Sequence, residues 1–344
     1  MITPVSVLTG FLGSGKTTLL ARLVRDPRFA DTAIIVNEWG EAPIDHALLR
    51  EASGEVVALA GGCICCRAAG DVVRALRELY FQRAQGEARF ARVVIETTGL
   101  ADPAPLLATL VEMPVTAARY SLSGVIATVD ATRGMETLDA FPEALRQVAT
   151  ADRIVVTKVD EMPLPAALEN RLRMLAPGAT VVQGARGEVD PATLFDTGLY
   201  RGPGLAPDLR GWLRAGEYRR VGEARAAAHD PAIASFAWNA PEPLAAHAVE
   251  RALRAACELL GERILRLKGV VRVEGQAGPT AVHAVGHTLY PFARLAAWPD
   301  EDRSTRIVVI GRGLEDSAFA RIFESFLSET PPRSSWQPPL PNPN

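Results

Sequence analysis

The chain has 344 residues and a formal net charge of −3, from 40 acidic and 37 basic side chains, and 48% of its residues are hydrophobic. This length favours two folded domains, and the near-neutral charge argues against nucleic acid or an anionic membrane as a general partner. The first residues lack the basic and apolar segments of a secretory signal, and no apolar run approaches the roughly 20 residues of a membrane helix. We therefore expect a cytoplasmic protein without nucleic-acid or membrane partners.

Short runs rich in valine and isoleucine alternate with helical stretches through the first 200 residues. "PVSVLTG" comes first, and the later runs are "TAIIVNE", "EVVALAGG", "RVVIETTG", "GVIATVDA", "RIVVTKVD" and "ATVVQGA". Near-continuous apolar runs of this length are typical of strands that are buried on both faces. The pattern predicts an α/β domain over residues 1–200, with a doubly wound parallel sheet.

The pattern changes after residue 200. Residues 201–229 are rich in Gly, Pro and charge, which predicts a linker. Strand-like runs and two amphipathic helices over residues 230–328 predict a smaller C-terminal α+β domain, whose helices cover a mainly antiparallel sheet. The proline-rich residues 329–344 predict a disordered tail.

A glycine-rich motif, "GFLGSGKT", runs from Gly10 to Thr17 and matches the full G-x-x-x-x-G-K-[ST] pattern between a predicted strand and a predicted helix. Its glycines let the backbone wrap around phosphates, whose charge the helix N-terminus attracts. Lys16 would reach the β- and γ-phosphates, and Thr17 would offer its hydroxyl to Mg²⁺. This context predicts the phosphate loop of a P-loop NTPase rather than a turn that binds nothing.

Polar residues follow other strands at the edge where such folds bind ligands. Glu96 ends the run "VVIE", and we expect it to help hold Mg²⁺ and arrange the attacking water; capping of the next helix is the alternative. Asp130 ends another strand, and its pattern fits a structural and a functional role equally.

The segment Thr157–Asp160 at the end of the run "VVTKVD", termed the base motif, indicates which base is bound. Asp160 can accept hydrogen bonds from N1 and N2 of guanine, which adenine does not match, and Lys158 can lay its aliphatic stem along the base. The usual guanine motif reads Asn-Lys-x-Asp, and Thr157 replaces its asparagine. We expect GTP to be preferred over ATP.

Three of the four cysteines lie in "GGCICC", residues 61–66, as Cys63, Cys65 and Cys66. Cytoplasmic thiols stay reduced, so this cluster indicates metal or redox chemistry rather than a disulfide. Burial as small apolar side chains is a further alternative. Cys257, alone on the apolar face of a predicted helix, is expected in the core.

Several motifs in this order, "GFLGSGKTT", "NEWGE", "GGCICC", "ETTGLADP", "TKVD" and "WPDEDRSTRIVVIGR", together resemble those of the CobW-type metallochaperone GTPases, relatives of the nickel-insertion GTPases of urease and hydrogenase maturation. The resemblance implies a GTP hydrolase that binds Mg²⁺-GTP and either Zn²⁺ or Co²⁺, and that delivers this metal to a client metalloprotein. It also implies a monomer, or a homodimer that depends on nucleotide and metal. A metal sensor or buffer with slow hydrolysis, and a P-loop ATPase or kinase with structural cysteines, are the alternatives.

The resemblance also implies roles for individual residues. Lys16 and Glu96 would be catalytic. The nucleotide would be bound by the phosphate loop and the base motif, comprising Gly10, Gly13, Ser14, Gly15, Lys16, Thr17, Thr18, Lys158 and Asp160. The metal-binding residues would be Cys63, Cys65, Cys66 and Glu38, with Thr17 for Mg²⁺. Adjacent Cys65 and Cys66 would point different ways in an extended segment, so we expect at most two thiolates on the transition metal, with Glu38, water or a nucleotide-linked group completing its ligands.

Overall fold

The computed structural model describes residues 2–37, 56–59, 67–112, 118–195, 212–222 and 233–328, and these form two sheets with helices packed on them. Among the helices of these ranges, none combines the length and hydropathy needed to cross a lipid bilayer.

The first sheet has seven strands, all parallel, in the spatial order β3–β2–β4–β1–β5–β6–β7. The strands are β1 Thr3–Gly10, β2 Thr32–Asn37, β3 Val56–Leu59, β4 Arg92–Glu96, β5 Tyr120–Asp130, β6 Arg153–Thr157 and β7 Thr180–Gly184. Every residue of β1 is buried, as expected for a strand covered on both faces. The predicted parallel sheet is confirmed.

Helices cover both faces of this sheet. They are α1 Lys16–Leu23, α2 Arg67–Gln85, α3 Ala104–Glu112, α4 Gly134–Ala140, α5 Pro142–Ala149, α6 Ala166–Leu175 and α7 Pro191–Leu194. Neighbouring residues of β1 face opposite layers: Leu8 packs in a core with Leu19 of α1, whereas Val7 packs with Leu76 of α2. The sheet is therefore doubly wound, as predicted.

The second sheet is antiparallel, in the order β11–β10–β9–β13–β8, with β12 paired to β10. Its strands are β8 Ile233–Ala240, β9 Ile264–Val271, β10 Thr280–Val285, β11 Thr288–Leu289, β12 Ala293–Arg294 and β13 Thr305–Arg312, and its helices are α8 Ala246–Leu260 and α9 Asp316–Ser328. Cys257 of α8 lies in the core between these helices and the sheet, where burial raises the pKa of its thiol to about 12. The α+β arrangement and the core position of Cys257 are both confirmed.

The other face of the second sheet packs on the first domain, because α5 lies against β9 and α6 against β8. One apolar core contains Val148 of α5, Leu168 of α6, and Val270 of β9. Trp212 and Tyr218 belong to the same core, although the segment 201–229 is predicted as a linker. Trp212 and Tyr218 therefore pack at the junction of the two sheets, whereas Arg220, farther along the segment, pairs with Ala237 of β8.

Three charged side chains are buried at this junction. Asp152, just before β6, accepts a hydrogen bond from Arg266 Nη2 at 2.8 Å and another from Lys268 Nζ. Its Oδ2 also accepts from the backbone N–H of Val125 at 2.8 Å. Burial raises the pKa of Asp152, but the charges of Arg266 and Lys268 outweigh burial and hold that pKa well below its ordinary value. The second sheet is thus joined to the first by buried charge as well as by apolar contact.

Candidate functional site

The carboxyl ends of the central strands meet at one edge of the first sheet. In the strand register Leu8 pairs with Glu96, Gly10 with Thr128, and Asp130 with Thr157. Because the strands are parallel, the residues that follow them converge on this edge. The motifs predicted to bind nucleotide therefore lie side by side.

The phosphate loop joins β1 to α1 and depends on glycine at three positions. Gly10, Gly13 and Gly15 have φ angles of 143°, 72° and 89°, a region that side chains disfavour. A Cβ on Gly10 would lie 2.2 Å from Thr128 Oγ1. The motif therefore encodes both the turn of the loop and its close approach to β5.

Lys16 begins α1 and is buried with its side chain folded over the loop. Its Nζ donates hydrogen bonds to the carbonyl oxygens of Gly10, at 2.8 Å, and Phe11, at 3.3 Å. These contacts hold the ammonium group at the mouth of the loop, where an anionic phosphate would meet it.

Thr17 and Glu96 lie together beside the loop. Thr17 Oγ1 donates a hydrogen bond to Glu96 Oε1 at 3.0 Å, and Glu96 is only 4% exposed. A hydroxyl and a carboxylate next to a phosphate loop form the hard oxygen donor set that suits Mg²⁺. The residues present therefore fit this ion.

The base motif follows β6 and is anchored to the loop. Thr157 Oγ1 donates to the carbonyl oxygen of Ser14 at 2.8 Å. Lys158 takes a left-handed conformation, with φ of 56°, and its Nζ donates to Asp130 Oδ2 at 2.5 Å. Burial raises the pKa of Asp130, but hydrogen bonds from Lys158 and Thr132 outweigh burial, so that this pKa lies below its ordinary value.

Asp160, the predicted base-reading carboxylate, faces the turn after β7. The backbone N–H of Arg186 donates to Asp160 Oδ1 at 3.0 Å, and this bond lowers the pKa of Asp160. Gly187 packs close to α1, since a Cβ there would lie 3.1 Å from the carbonyl oxygen of Thr18. The contact of Asp160 with Arg186 was not predicted from the sequence, although the glycine-containing segment "GARGE" directly after a predicted strand indicates a turn there.

A cavity of about 440 Å³ opens beside the phosphate loop. Its apolar part includes Phe11 and Phe141, whose rings stack with centroids 4.3 Å apart. Asp130 and Lys158 line its polar part. The cavity therefore adjoins both the phosphate loop and the base motif.

Glu38, Cys63, Cys65 and Cys66, the predicted metal ligands, lie outside the described residues. The strands that lead to them are described: Asn37, the last residue of β2, pairs with Leu59, the last residue of β3. Val36 pairs with Glu96 on the other side of β2. Within the described ranges there is no group of three or more His, Cys, Asp or Glu residues that could hold a metal ion.

Two protein families match successive parts of this chain. Residues 4–183 match the family described as "CobW/HypB/UreG, nucleotide-binding domain". Residues 233–327 match the one described as "Cobalamin synthesis protein cobW C-terminal domain".

Relatives of known name align over nearly the whole chain. The zinc chaperone YjiA of Escherichia coli is 31% identical over 319 residues, which are 93% of this chain and 97% of that protein. The zinc chaperone CobW of Pseudomonas aeruginosa is 29% identical over 361 residues, and the alignment covers 94% of this chain and 92% of that protein. The crystal structure of Zn(II)-bound YjiA GTPase from E. coli superposes with a TM-score of 0.67 at 26% identity, covering 96% of this chain and all of that one.

Proposed function

Because this chain belongs to the CobW/HypB/UreG family, we propose that it is a GTP-dependent metallochaperone that carries zinc to a client metalloprotein. The observation that carries the proposal is the contact between Thr17 and Glu96 beside a complete phosphate loop. The names of the relatives support zinc as the cargo and GTP as the nucleotide. The chain is a GTP hydrolase that couples hydrolysis to release of the ion.

The phosphate loop binds and orients the triphosphate. Lys16, now held by the carbonyls of Gly10 and Phe11, neutralises charge on the β- and γ-phosphates. Thr17 and Glu96 would hold Mg²⁺, which supplies further positive charge to those phosphates when bound. Glu96 would also orient the attacking water, because it is held at the end of β4 by its contact with Thr17 of the phosphate loop.

The base motif selects guanine. Asp160 accepts from N1 and N2 of guanine, a pattern that adenine does not offer, and Lys158 packs its stem on the base. Substitution Asp160→Asn should therefore lower the preference for GTP over ATP. An unchanged preference would favour a P-loop ATPase or kinase.

The metal is cargo, and its proposed ligands follow the ends of β2 and β3. Glu38 comes directly after Asn37, and Cys63 comes four positions after Leu59; Asn37 and Leu59 are neighbours in the sheet. Thiolates and a carboxylate suit Zn²⁺, and Co²⁺ would accept the same donors. Since β2 also pairs with β4, which ends at Glu96, occupation of the nucleotide site can change metal affinity, and the reverse effect must be equal.

Competitive zinc titrations with and without Mg²⁺-GTP test this function. The wild type should bind zinc more tightly with Mg²⁺-GTP, and a Cys65→Ser, Cys66→Ser double variant should lose both the affinity and its nucleotide dependence. Cys257→Ala, which changes the one cysteine outside the motif, is the matched control and should behave as the wild type. Equal zinc affinity in the wild type and the double variant, with and without nucleotide, would refute the coupled mechanism.

Delivery is tested with a client. A client metalloprotein should accelerate GTP hydrolysis and receive zinc from the loaded chain; a slow hydrolysis that no candidate client changes would favour a metal sensor or buffer. Light scattering with and without GTP and zinc distinguishes the proposed monomer from a nucleotide- and metal-dependent homodimer.

A further inference from the structure

A partly buried ion pair between Asp130 and Lys158 lies where the base motif meets the cavity beside the phosphate loop. We propose that Asp130 is a positioning residue for nucleotide binding, which holds Lys158 so that the lysine stem forms a fixed wall of the base pocket. This inference rests on the proposed binding of GTP. It assigns to the end of β5 a function that its sequence leaves open.

Lys158 needs an anchor to act as a wall. Its backbone is left-handed, with φ of 56°, a conformation that is unfavourable for a non-glycine residue. Its side chain is 34% exposed and rotates about four bonds, so a lysine without a partner would populate many rotamers. The contact with Asp130 selects one of them.

Asp130 is well suited to be that anchor because its own position is fixed. Its Oδ1 accepts hydrogen bonds from the backbone N–H and the Oγ1 of Thr132, both at 2.7 Å. Its backbone pairs with Thr157 in the sheet, and the N–H of Ala131 donates to the carbonyl oxygen of Thr157 at 3.0 Å. Asp130 is also only 8% exposed, so Oδ2 meets Lys158 with little competition from water.

The two carboxylate oxygens of Asp130 have different partners, and this difference allows its positioning role to be tested apart from a purely structural one. Oδ1 closes the turn before α4 with Thr132, whereas Oδ2 binds only Lys158 among the described contacts. Asp130→Asn keeps an oxygen acceptor for Thr132 but places the amide NH2 group opposite the ammonium of Lys158. An NH2 group is a donor only, so it cannot accept the hydrogen bond from Lys158. Thr132→Val removes one bond of the turn and leaves the ion pair, so it is the matched control.

Calorimetric titration of the full chain with GDP and with IDP, whose base lacks the N2 donor, tests the proposal. Asp130→Asn should weaken both nucleotides about tenfold, the usual effect of losing one hydrogen bond to a charged group. The ratio between GDP and IDP should stay as in the wild type, because Asp160 is untouched. In GTP hydrolysis the loss should fall on KM more than on kcat, and Thr132→Val should bind both nucleotides as the wild type does.

A double-mutant cycle with Lys158→Met makes the test specific to the pair. Once Lys158 is replaced, Asp130→Asn should cause no further loss of affinity. Full additivity of the two losses in affinity would overturn the proposal, and so would a nucleotide affinity of Asp130→Asn equal to that of the wild type. The proposal would also be overturned if Asp130→Asn and Thr132→Val lost affinity equally and their Tm values fell equally. A wild type that bound no guanine nucleotide would overturn the proposed function and this inference with it, whereas binding by the wild type with an unaffected Asp130→Asn overturns this inference alone.

Discussion

Thr157 donates a hydrogen bond from its Oγ1 to the carbonyl oxygen of Ser14 at 2.8 Å, and this bond joins the end of β6 to the phosphate loop. Both residues are buried, and a Cβ on Gly15 would lie 3.2 Å from Thr157 Cγ2. The threonine that replaces the usual asparagine thus contacts the loop directly. The base motif and the phosphate loop are consequently held in one arrangement.

Substitution Thr157→Val keeps the shape of the side chain and removes that bond. Loss of one such hydrogen bond amounts to about 1 kcal/mol, so we expect GTP affinity to fall about fivefold, as measured by calorimetric titration. Thr180→Val on β7 is the control, because Thr180 Oγ1 has no hydrogen-bond partner among the described residues. Equal affinity of the two variants would contradict the prediction.

Gly99, after β4, packs against the outer side of the phosphate loop. A Cβ there would lie 2.7 Å from the backbone nitrogen of Leu12, and a backbone atom cannot move without shifting the loop. Gly99→Ala should therefore lower stability by about 1–3 kcal/mol and weaken GTP binding as well. Gly70→Ala in α2, where a Cβ meets nothing within 4 Å, should instead stabilise the chain by about 0.5–1 kcal/mol. Thermal unfolding with and without GTP measures both effects, and a neutral Gly99→Ala would show that the loop can adjust.

Asp152 compensates two buried cations at the junction of the two sheets. Asp152→Asn leaves Arg266 and Lys268 without a carboxylate, so we expect a loss of about 3–5 kcal/mol in the free energy of unfolding. Glu250→Gln breaks the exposed pair with Arg254 and should change stability by less than about 1 kcal/mol. Urea unfolding of both variants provides the comparison. Losses of similar size would mean that the three buried charges at the junction are no more important for stability than a surface ion pair.

We predict that His283 makes the stability of the chain depend on pH. Burial first, and then the charges of Arg266 and Lys268, lower the pKa of His283 well below its ordinary value of 6.5. Below pH 6.5 the unfolded chain binds a proton at this histidine that the folded chain does not, so the free energy of unfolding should fall by up to about 1.4 kcal/mol per pH unit. This stability is complete above pH 6.5 and is lost as the pH falls.

Variants at two histidines separate this effect from general acid denaturation. His283→Phe keeps a ring to stack on Tyr290, whose centroid lies 4.3 Å from that of His283, and it should flatten the dependence between pH 6.5 and pH 5. His247→Gln, at a half-buried position of α8, is the control variant to be measured alongside it. Urea unfolding at several pH values measures the slopes, and an unchanged slope in His283→Phe would assign the effect to another group.

The first sheet was predictable because its signal is local. Apolar runs such as "PVSVLTG" and "RVVIE" can only be buried on both faces, and the parallel register then brings Gly10 and Glu96 to one edge. The long C-terminal run "TAVHAVGHTLYPF" reads as one strand, but the structure breaks it between β10 and β11 at Gly286, whose φ is 57°. The left-handed turn at Gly286 therefore ends β10 and lets β11 fold back on it.

Contacts between distant residues could not be predicted. Arg266 and Lys268 alternate with apolar residues along β9, a pattern that usually marks an exposed face, yet both are buried on Asp152, more than 110 positions earlier in the chain. The pairing of Asp130 with Lys158 likewise depends on how β5 lies beside β6. The roles of Cys63, Cys65, Cys66 and Glu38 stay a prediction.

The second sheet lies between its own helices and those of the nucleotide-binding domain, and this arrangement limits how the sequence can diverge. Val148 of α5 and Val270 of β9 share one core across the junction, and close packing gives such a core no spare volume. A larger residue on one side must be matched by a smaller one on the other. Among related sequences, α5 and β9 should therefore covary, so that a C-terminal domain exchanged between distant relatives would fit poorly on a nucleotide-binding domain that had not changed with it.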